Sequence, residues 1–187
     1  MIHYLLKTKD FIPKEYHSSF FDIDFGLLYQ KGYRLLLTDL DNTLISYAEM
    51  NATKEIIDKI NELKSIGFEV AILSNNHQPR IDEFVKDLDI LGYASAHKPL
   101  TSGIKKAVSG ASREYSKSEI IIVGDQIMTD IWGANRYGSY CILVDPIKAK
   151  TEKWYTKINR KIEQKMIEKI KNKETKIYQE LSLDKRY

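Results

Sequence analysis

Short apolar runs alternate with helical repeats along most of the chain. Runs rich in β-branched residues predict strands at 34–39, 68–74, 91–95, 119–124 and 140–144. Apolar residues at helical spacing predict helices at 53–66, 79–88, 101–115 and 128–137. This alternation predicts an α/β fold with a Rossmann-like, doubly wound and mostly parallel sheet. Ligands of such sheets bind outside the carboxyl ends of the strands, so chemistry is expected there.

The chain divides into three parts. Residues 34–147 carry the repeating pattern and predict the folded core. Residues 1–33 are less regular, and phenylalanines such as Phe20 and Phe25 predict that this segment packs on the core. Residues 148–187 predict a basic amphipathic helical tail. Its apolar positions recur mostly every fourth residue, at Trp154, Ile158, Ile162, Met166, Ile167 and Ile170.

The net charge of +3 over 187 residues hides an asymmetry between the core and the tail. Residues 1–147 contain 16 Lys and Arg against 20 Asp and Glu, whereas residues 148–187 contain 13 against 6. A cationic tail on a mildly acidic body suggests an anionic partner, either a lipid surface or nucleic acid. The simpler interpretation is a helix that docks on the domain or on a second copy of the chain, which leaves a homo-oligomer open.

The cysteine content and the lack of long apolar segments indicate the cellular compartment. The single cysteine, Cys141, lies in an apolar run and is predicted to be a buried hydrophobe and not a nucleophile. No window approaches the roughly 18 consecutive apolar residues of a membrane span, and the N-terminus lacks a signal-peptide core. We therefore expect a cytoplasmic protein, and the basic tail leaves peripheral association with the inner face of the membrane open.

Carboxylates follow two of the predicted strands. The first strand ends in Asp39-Leu40-Asp41-Asn42-Thr43, and the fourth ends in Gly124-Asp125, with Asp130 in the helix start behind it. Two like charges about 4 Å apart repel by roughly 4 kcal/mol at an effective dielectric near 20, so a cation is expected beside them. Each motif alone has an ordinary explanation as a calcium loop or as acids at a helix start.

Two further segments carry polar groups between these carboxylates. Ser74-Asn75-Asn76 ends the second strand and is by itself a plausible helix cap. Lys98 precedes Pro99 and is by itself an ordinary surface lysine. The joint order, Asp-x-Asp-x-Thr, then Ser, then Lys, then Gly-Asp, is far harder to obtain by chance.

In that order the motifs resemble the haloacid dehalogenase superfamily of phosphotransferases. The segments 39–44 and 124–126 are similar to its subclass IIIA, the YqeG-type phosphatases. The likeness extends over roughly residues 11–165 and also includes Arg80 and the run Asn159-Arg160-Lys161-Ile162-Glu163. The last twenty or so residues have no counterpart in it.

The resemblance implies a Mg²⁺-dependent phosphatase. Asp39 would attack phosphorus to form an aspartyl-phosphate, and Asp41 would protonate the leaving group and then activate water. The two carboxyl groups, sharing a pocket, would divide into one ionised and one neutral group. Four residues would hold the phosphoryl oxygens or orient the loop around them: Thr43, Ser74, Asn75 and Lys98. The metal would be held by Asp39, the main-chain carbonyl of Asp41, Asp125 and, directly or through water, Asp130.

The spacing of the motifs and the family resemblance together narrow the range of candidate substrates. The intervals between Asp41, Ser74 and Lys98 are too short for a large cap domain, so an open site is expected. An open site suits a phosphate on a bulky molecule, or a site that a second subunit closes. A related group in the subclass acts on phosphatidylglycerophosphate, the substrate we favour. The alternatives are a soluble nucleotide or sugar phosphatase, and an RNA-linked or ribosome-linked binding module on the same fold. The presence of both Asp39 and Asp41 favours an active phosphatase over the module and over a dehalogenase.

Overall fold

A computed structural model describes residues 7–147 and 154–186, with the side chains of 154–157 outside the description. Its strands are β1 (Glu15–His17), β2 (Leu35–Thr38), β3 (Glu69–Leu73), β4 (Leu91–Tyr93), β5 (Ile120–Gly124) and β6 (Tyr140–Val144). They form one sheet in the order β1-β6-β5-β2-β3-β4, and every pairing is parallel. The predicted parallel α/β sheet is confirmed.

Helices connect these strands. They are α1 (Phe25–Gln30), α2 (Lys54–Ile66), α3 (Gln78–Val85), α4 (Ser102–Ser109), α5 (Trp132–Tyr137), α6 (Trp154–Lys173) and α7 (Thr175–Glu180). A π-helical turn, Ile127–Ile131, leads into α5, and a 3-10 turn, Leu183–Arg186, follows α7. A single helix lies between β2 and β3 and another between β3 and β4, so these connections, described throughout, hold no large cap domain.

Alternate strand residues point to opposite faces of the sheet and build two apolar layers. One layer contains Leu36 and Ile121 together with side chains of α1, α2 and α3. The other contains Leu37 and Ile122 together with side chains of α4, α5 and α6. Helices cover both faces, which explains why the central strands read as continuous apolar runs and confirms the doubly wound architecture.

The structure differs from the sequence prediction at β1. Its residues, Glu15-Tyr16-His17, are polar and half-buried, so they lack the apolar alternation of a strand. They nevertheless pair in register with Ile142–Val144 of β6 at the edge of the sheet. Backbone pairing with a neighbouring strand, and not side-chain burial, therefore makes this segment a strand.

Two predicted helices are shorter than expected. The helix predicted over 101–115 ends at Ser109, where Gly110 closes it with hydrogen bonds to the carbonyls of Lys106 and Val108. The helix predicted over 79–88 ends at Val85. At the end of α4, glycine and serine disfavour helix continuation, and this local preference outweighed the apolar spacing.

The amphipathic tail helix exists, and half of its apolar stripe is buried. Met166, Ile167 and Ile170 pack into the second apolar layer, whereas Ile158 and Ile162 are exposed. Trp154 belongs to the side chains outside the description. None of the described helices is long and apolar enough to cross a membrane. The division into three parts at residues 33 and 147 stays a prediction.

Cys141 is fully buried, as predicted. Burial raises the pKa of its thiol to about 11, so the thiolate is scarce at neutral pH.

The strand order reverses between β2 and β5. From β2 the chain adds β3 and β4 on one side, and β5 and β6 on the other. Such a reversal opens a crevice at the carboxyl ends of the two strands, because the connections leave in opposite directions. Asp39 follows β2 and Asp125 follows β5, so the topology brings the two predicted acidic motifs to this crevice.

Candidate active site

Two carboxylates from adjacent strands face a common point in the crevice. The Thr43 hydroxyl oxygen lies 3.5 Å from Oδ2 of Asp39 and 3.5 Å from Oδ1 of Asp125. The chain reaches this geometry because Asn42 adopts a left-handed conformation (φ 67°) that asparagine tolerates, and the turn brings Thr43 back over Asp39. The Thr43 hydroxyl carries no charge, so ionisation of Asp39, Asp125 and Asp130 would leave a surplus of negative charge that Lys98 and Arg160 offset only in part.

Lys98 bridges two of the buried carboxylates. Its ammonium group lies 2.6 Å from Oδ1 of Asp39 and 2.6 Å from Oδ1 of Asp130, and it donates to the carbonyl of Leu73 at 2.7 Å. These contacts use all three donors of the ammonium group. Lys98 is therefore a buried cation fixed beside Asp39, and not the solvated lysine of the simpler interpretation.

Asp41 has different partners from Asp39. Arg80 donates from Nε and Nη2 to its Oδ1 at 3.2 and 3.0 Å, and Asn76 donates to its Oδ2 at 2.9 Å. Arg80 is itself buried and also donates to the carbonyl of Met50 at 2.9 Å. Asp39 and Asp41 thus contact different cations, Lys98 and Arg80, and the expectation that the two carboxyl groups share one pocket stays a prediction.

The other predicted phosphate-binding residues lie at the ends of β3 and of the Lys98 loop. Ser74 is buried, and its hydroxyl accepts from the amide of Asn76 at 3.1 Å. The side chain of Asn75 donates to the carbonyl of Lys98 at 3.1 Å and accepts from its amide at 2.7 Å. Asn75 therefore holds the Lys98 loop against β3, and its direct contact with phosphate stays a prediction.

The side of Asp125 that faces away from Asp39 is closed by two arginines. Arg160 donates to the Asp125 carbonyl at 2.7 Å and pairs with its Oδ2, and Arg186 donates to the same carbonyl. Both arginines also contact Glu163. No role was predicted for these three residues from the sequence, because a charged helical tail is usually a solvated surface. Arg160 and Glu163 nevertheless lie in the run 159–163 that resembles the family.

Burial and crowding change the acidity of the carboxyl groups. Burial raises the pKa of Asp39 to about 8, with the carboxylates of Asp130 and Asp125 adding to the rise and Lys98 opposing it. Burial likewise raises the pKa of Asp125 to about 6, opposed by Arg160. For Lys98, burial acts against the charge, but Asp130 and Asp39 raise its pKa overall and keep it cationic. A further cation at the common point would favour the ionised form of both carboxyl groups.

This donor set fits a magnesium ion. Mg²⁺ is usually held by one or two carboxylates together with water and substrate phosphate, and Asp39 with Asp125 supply two carboxylate oxygens at one point. Within the described ranges, no group of three His, Cys, Asp or Glu side chains is arranged to hold a metal on its own. Asp130 contacts Lys98, the amide of Gln126 and the hydroxyl of Thr129, so its place among the metal ligands stays a prediction.

Known proteins resemble this chain over most of its length. The family model for the mitochondrial PGP phosphatase matches residues 1–148. The chain is 34% identical to the probable phosphatase YqeG of Bacillus subtilis over 165 residues, which covers 88% of this chain and 94% of that protein. It is 28% identical over 151 residues to phosphatidylglycerophosphate phosphatase 1, chloroplastic/mitochondrial, of Arabidopsis thaliana, covering 75% of this chain and 42% of that protein.

A solved structure supports the fold. The crystal structure of an uncharacterized protein from Listeria monocytogenes serotype 4b superposes with a TM-score of 0.51 at 22% identity, covering 65% of this chain and 84% of that one. Fold, strand-end carboxylates and relatives together define an α/β phosphatase of the haloacid dehalogenase type. The chain belongs to the PGP phosphatase family, and its resemblance to the YqeG-type phosphatases is confirmed.

Gly124 leaves the space that Asp130 occupies. A Cβ atom at position 124 would lie 2.3 Å from Cγ and 2.5 Å from Cβ of the buried Asp130. We therefore expect Gly124→Ala to displace Asp130 from Lys98 and to lower the free energy of unfolding by about 1–3 kcal/mol, measured by urea denaturation. Gly26→Ala is the control, since its nearest atom would be 3.4 Å away. Equal stability of the Gly124→Ala protein and the unaltered protein would show that the close approach is not required.

Proposed function

We propose that the protein hydrolyses a phosphomonoester through an aspartyl-phosphate on Asp39, with Mg²⁺ as cofactor. The observation that carries the proposal is that Asp39, Lys98 and Asp125, far apart in the sequence, meet at the carboxyl ends of two adjacent strands. Phosphoryl transfer needs an ionised nucleophile and positive charge around the transferred oxygens. Lys98 supplies positive charge beside Asp39, and a cation at the common point would favour the ionised form of the Asp39 carboxyl group, whose pKa burial raises to about 8.

The first step needs a carboxylate oxygen of Asp39. Oδ1 pairs with Lys98, and Oδ2 faces the common point beside Thr43, where Mg²⁺ would bind. In this step one carboxylate oxygen of Asp39 forms a bond to phosphorus as the bond to the departing alcohol oxygen breaks. Lys98, with Ser74, Asn75 and Thr43, would hold the phosphoryl oxygens and the loop around them. Mg²⁺, held by Asp39, the Asp41 carbonyl and Asp125, would offset charge on those oxygens.

Asp41 is the group we assign to proton transfer. Arg80 and Asn76 fix its carboxyl group in one orientation, and it keeps partial contact with solvent. It would give a proton to the departing alcohol oxygen, and then take one from the water that attacks the aspartyl-phosphate. The second step releases inorganic phosphate and restores the Asp39 carboxylate.

Replacement of the nucleophile tests this mechanism. We expect Asp39→Asn to lose turnover of a phosphomonoester, since an amide cannot form the acyl phosphate. The unaltered protein, quenched in acid during turnover, should carry one phosphoryl group on the peptide containing Asp39 by mass spectrometry. The control Asp58→Asn changes an exposed aspartate on α2 and should keep the full rate. Turnover by Asp39→Asn at the normal rate would refute the assigned nucleophile.

For the substrate we propose a lipid phosphate, phosphatidylglycerophosphate. The names of the family model and of the Arabidopsis relative refer to this phosphatase activity. The structure adds support, because four exposed large apolar residues belong to segments that contact the site. Met50 is 49% exposed, Leu100 53%, Ile147 38% and Ile158 48%.

Each of these four side chains belongs to a segment that touches the site. The carbonyl of Met50 accepts from Arg80, and Leu100 follows Lys98 by two residues. The amide of Ile147 donates to the carbonyl of Asn42 at 2.9 Å. Ile158 precedes Asn159, which bonds to Gln126 next to Asp125. We name Met50, Leu100, Ile147 and Ile158 the apolar rim.

The apolar rim and the basic tail would together meet an anionic lipid surface. Exposed apolar groups insert at such a surface, and each lysine close to it contributes about 1 kcal/mol. The excess of 13 basic over 6 acidic residues in 148–187 provides the complementary charge. Peripheral membrane association through this face is part of the proposal, and a homo-oligomer remains only a prediction of the sequence.

A vesicle assay tests the lipid proposal. We expect the full chain to sediment with phosphatidylglycerol vesicles, and Leu100→Ser to weaken both sedimentation and hydrolysis of phosphatidylglycerophosphate in vesicles by several-fold. Leu91→Ser is the matched control: Leu91 is 51% exposed and begins the edge strand β4, whereas the site lies beyond the carboxyl ends of β2 and β5. Equal hydrolysis of nucleotide or sugar phosphates would instead support a phosphatase of small metabolites. Binding of RNA but not of vesicles would support the binding module.

A further inference from the structure

A buried ion cluster joins the C-terminal helix to the acidic crevice. Glu163 of α6 is fully buried, and its Oε1 accepts from Nε and Nη2 of Arg186 at 2.9 and 2.7 Å. Its Oε2 accepts from the amide of Ile127 at 2.8 Å. Arg186 also donates to the carbonyls of Val144 (2.7 Å) and Asp125. The cluster therefore connects α6 and the last turn to the ends of β5 and β6.

Arg160 extends this cluster to the carboxylate of Asp125. Its Nη1 donates to the Asp125 carbonyl at 2.7 Å and lies 3.7 Å from Oε2 of Glu163, while its Nη2 pairs with Oδ2 of Asp125. The planar guanidinium thus holds both the main chain and one carboxylate oxygen of the same residue. Oδ1 is the oxygen that remains directed toward Thr43 and Asp39.

Stability alone does not account for these contacts. Moving two charges out of water is costly, and buried ion pairs replaced by apolar residues of similar volume often leave a protein equally or more stable. What a planar, two-point contact does achieve is a fixed orientation of the carboxylate. Groups that hydrogen-bond to metal ligands in this way set the direction of the ligand, and their loss typically costs 10- to 100-fold in metal affinity.

We propose that Arg160, backed by Glu163 and Arg186, is a positioning residue that aims Oδ1 of Asp125 at the cation position. The C-terminal helix is then part of the metal site, although the family model matches only residues 1–148. This inference rests on the proposed function, because it takes Asp125 as a ligand of Mg²⁺.

The test measures Mg²⁺ binding directly, by isothermal titration calorimetry on the full chain without substrate. We expect Arg160→Gln to weaken Mg²⁺ binding, so that the Kd rises by about 10- to 100-fold. Arg160→Lys, which keeps the charge but not the two-point contact, should give an intermediate Kd. The control Gln164→Ala, at an exposed position of the same helix, should bind as the unaltered chain does.

Asp125→Asn separates failure of this inference from failure of the proposed function. If Asp125→Asn abolishes Mg²⁺ binding while Arg160→Gln and Arg160→Lys keep the normal Kd, the positioning role is wrong and the metal site stands. If Asp125→Asn binds Mg²⁺ normally, the metal site of the proposed function is itself wrong. Thermal unfolding of each variant with and without Mg²⁺ gives a second readout: a lower Tm with an unchanged Mg²⁺-dependent shift would reduce Arg160 to a structural role and overturn the inference.

Discussion

The surplus of buried negative charge between Asp39 and Asp125 is the constraint on which the rest of the site depends. The parallel sheet reverses its strand order at β2 and β5, and this reversal places both carboxylates at one point. An apolar sheet with helices on both faces removes water from their surroundings, so the pKa of each rises. The fold thus creates a demand for positive charge that a divalent cation would satisfy.

The chain meets part of this demand with three cations of its own, which contact four carboxylates. Lys98 serves Asp39 and Asp130, Arg160 serves Asp125, and Arg80 serves Asp41. In each case the cation occupies one oxygen and so fixes the orientation of the carboxylate. The arrangement leaves Oδ2 of Asp39 and Oδ1 of Asp125 beside the Thr43 hydroxyl, each 3.5 Å from its oxygen, where the proposed Mg²⁺ would bind.

Sequence reasoning found what is local and missed what depends on distant contacts. Asp39 and Asp125 were predictable because an apolar strand followed at once by a carboxylate is a pattern within a few residues. The partner of Asp41 was not, since the meeting of Arg80 with Asp41 depends on how α3 packs against the loop after β2. Arg186 was hidden for the same reason, because only the folded tail brings it to Asp125. The strand β1 was missed because its pairing with β6, and not its own composition, defines it.

We propose that one divalent ion binds between the ends of β2 and β5. A crystal structure of the full chain grown with Mg²⁺ and a phosphate analogue would locate that ion. We expect one Mg²⁺ ion in contact with a carboxylate oxygen of Asp39 and one of Asp125, with the analogue beside Asp39 and Lys98. An ion bound elsewhere, or no ion shared by Asp39 and Asp125, would refute the proposed metal site.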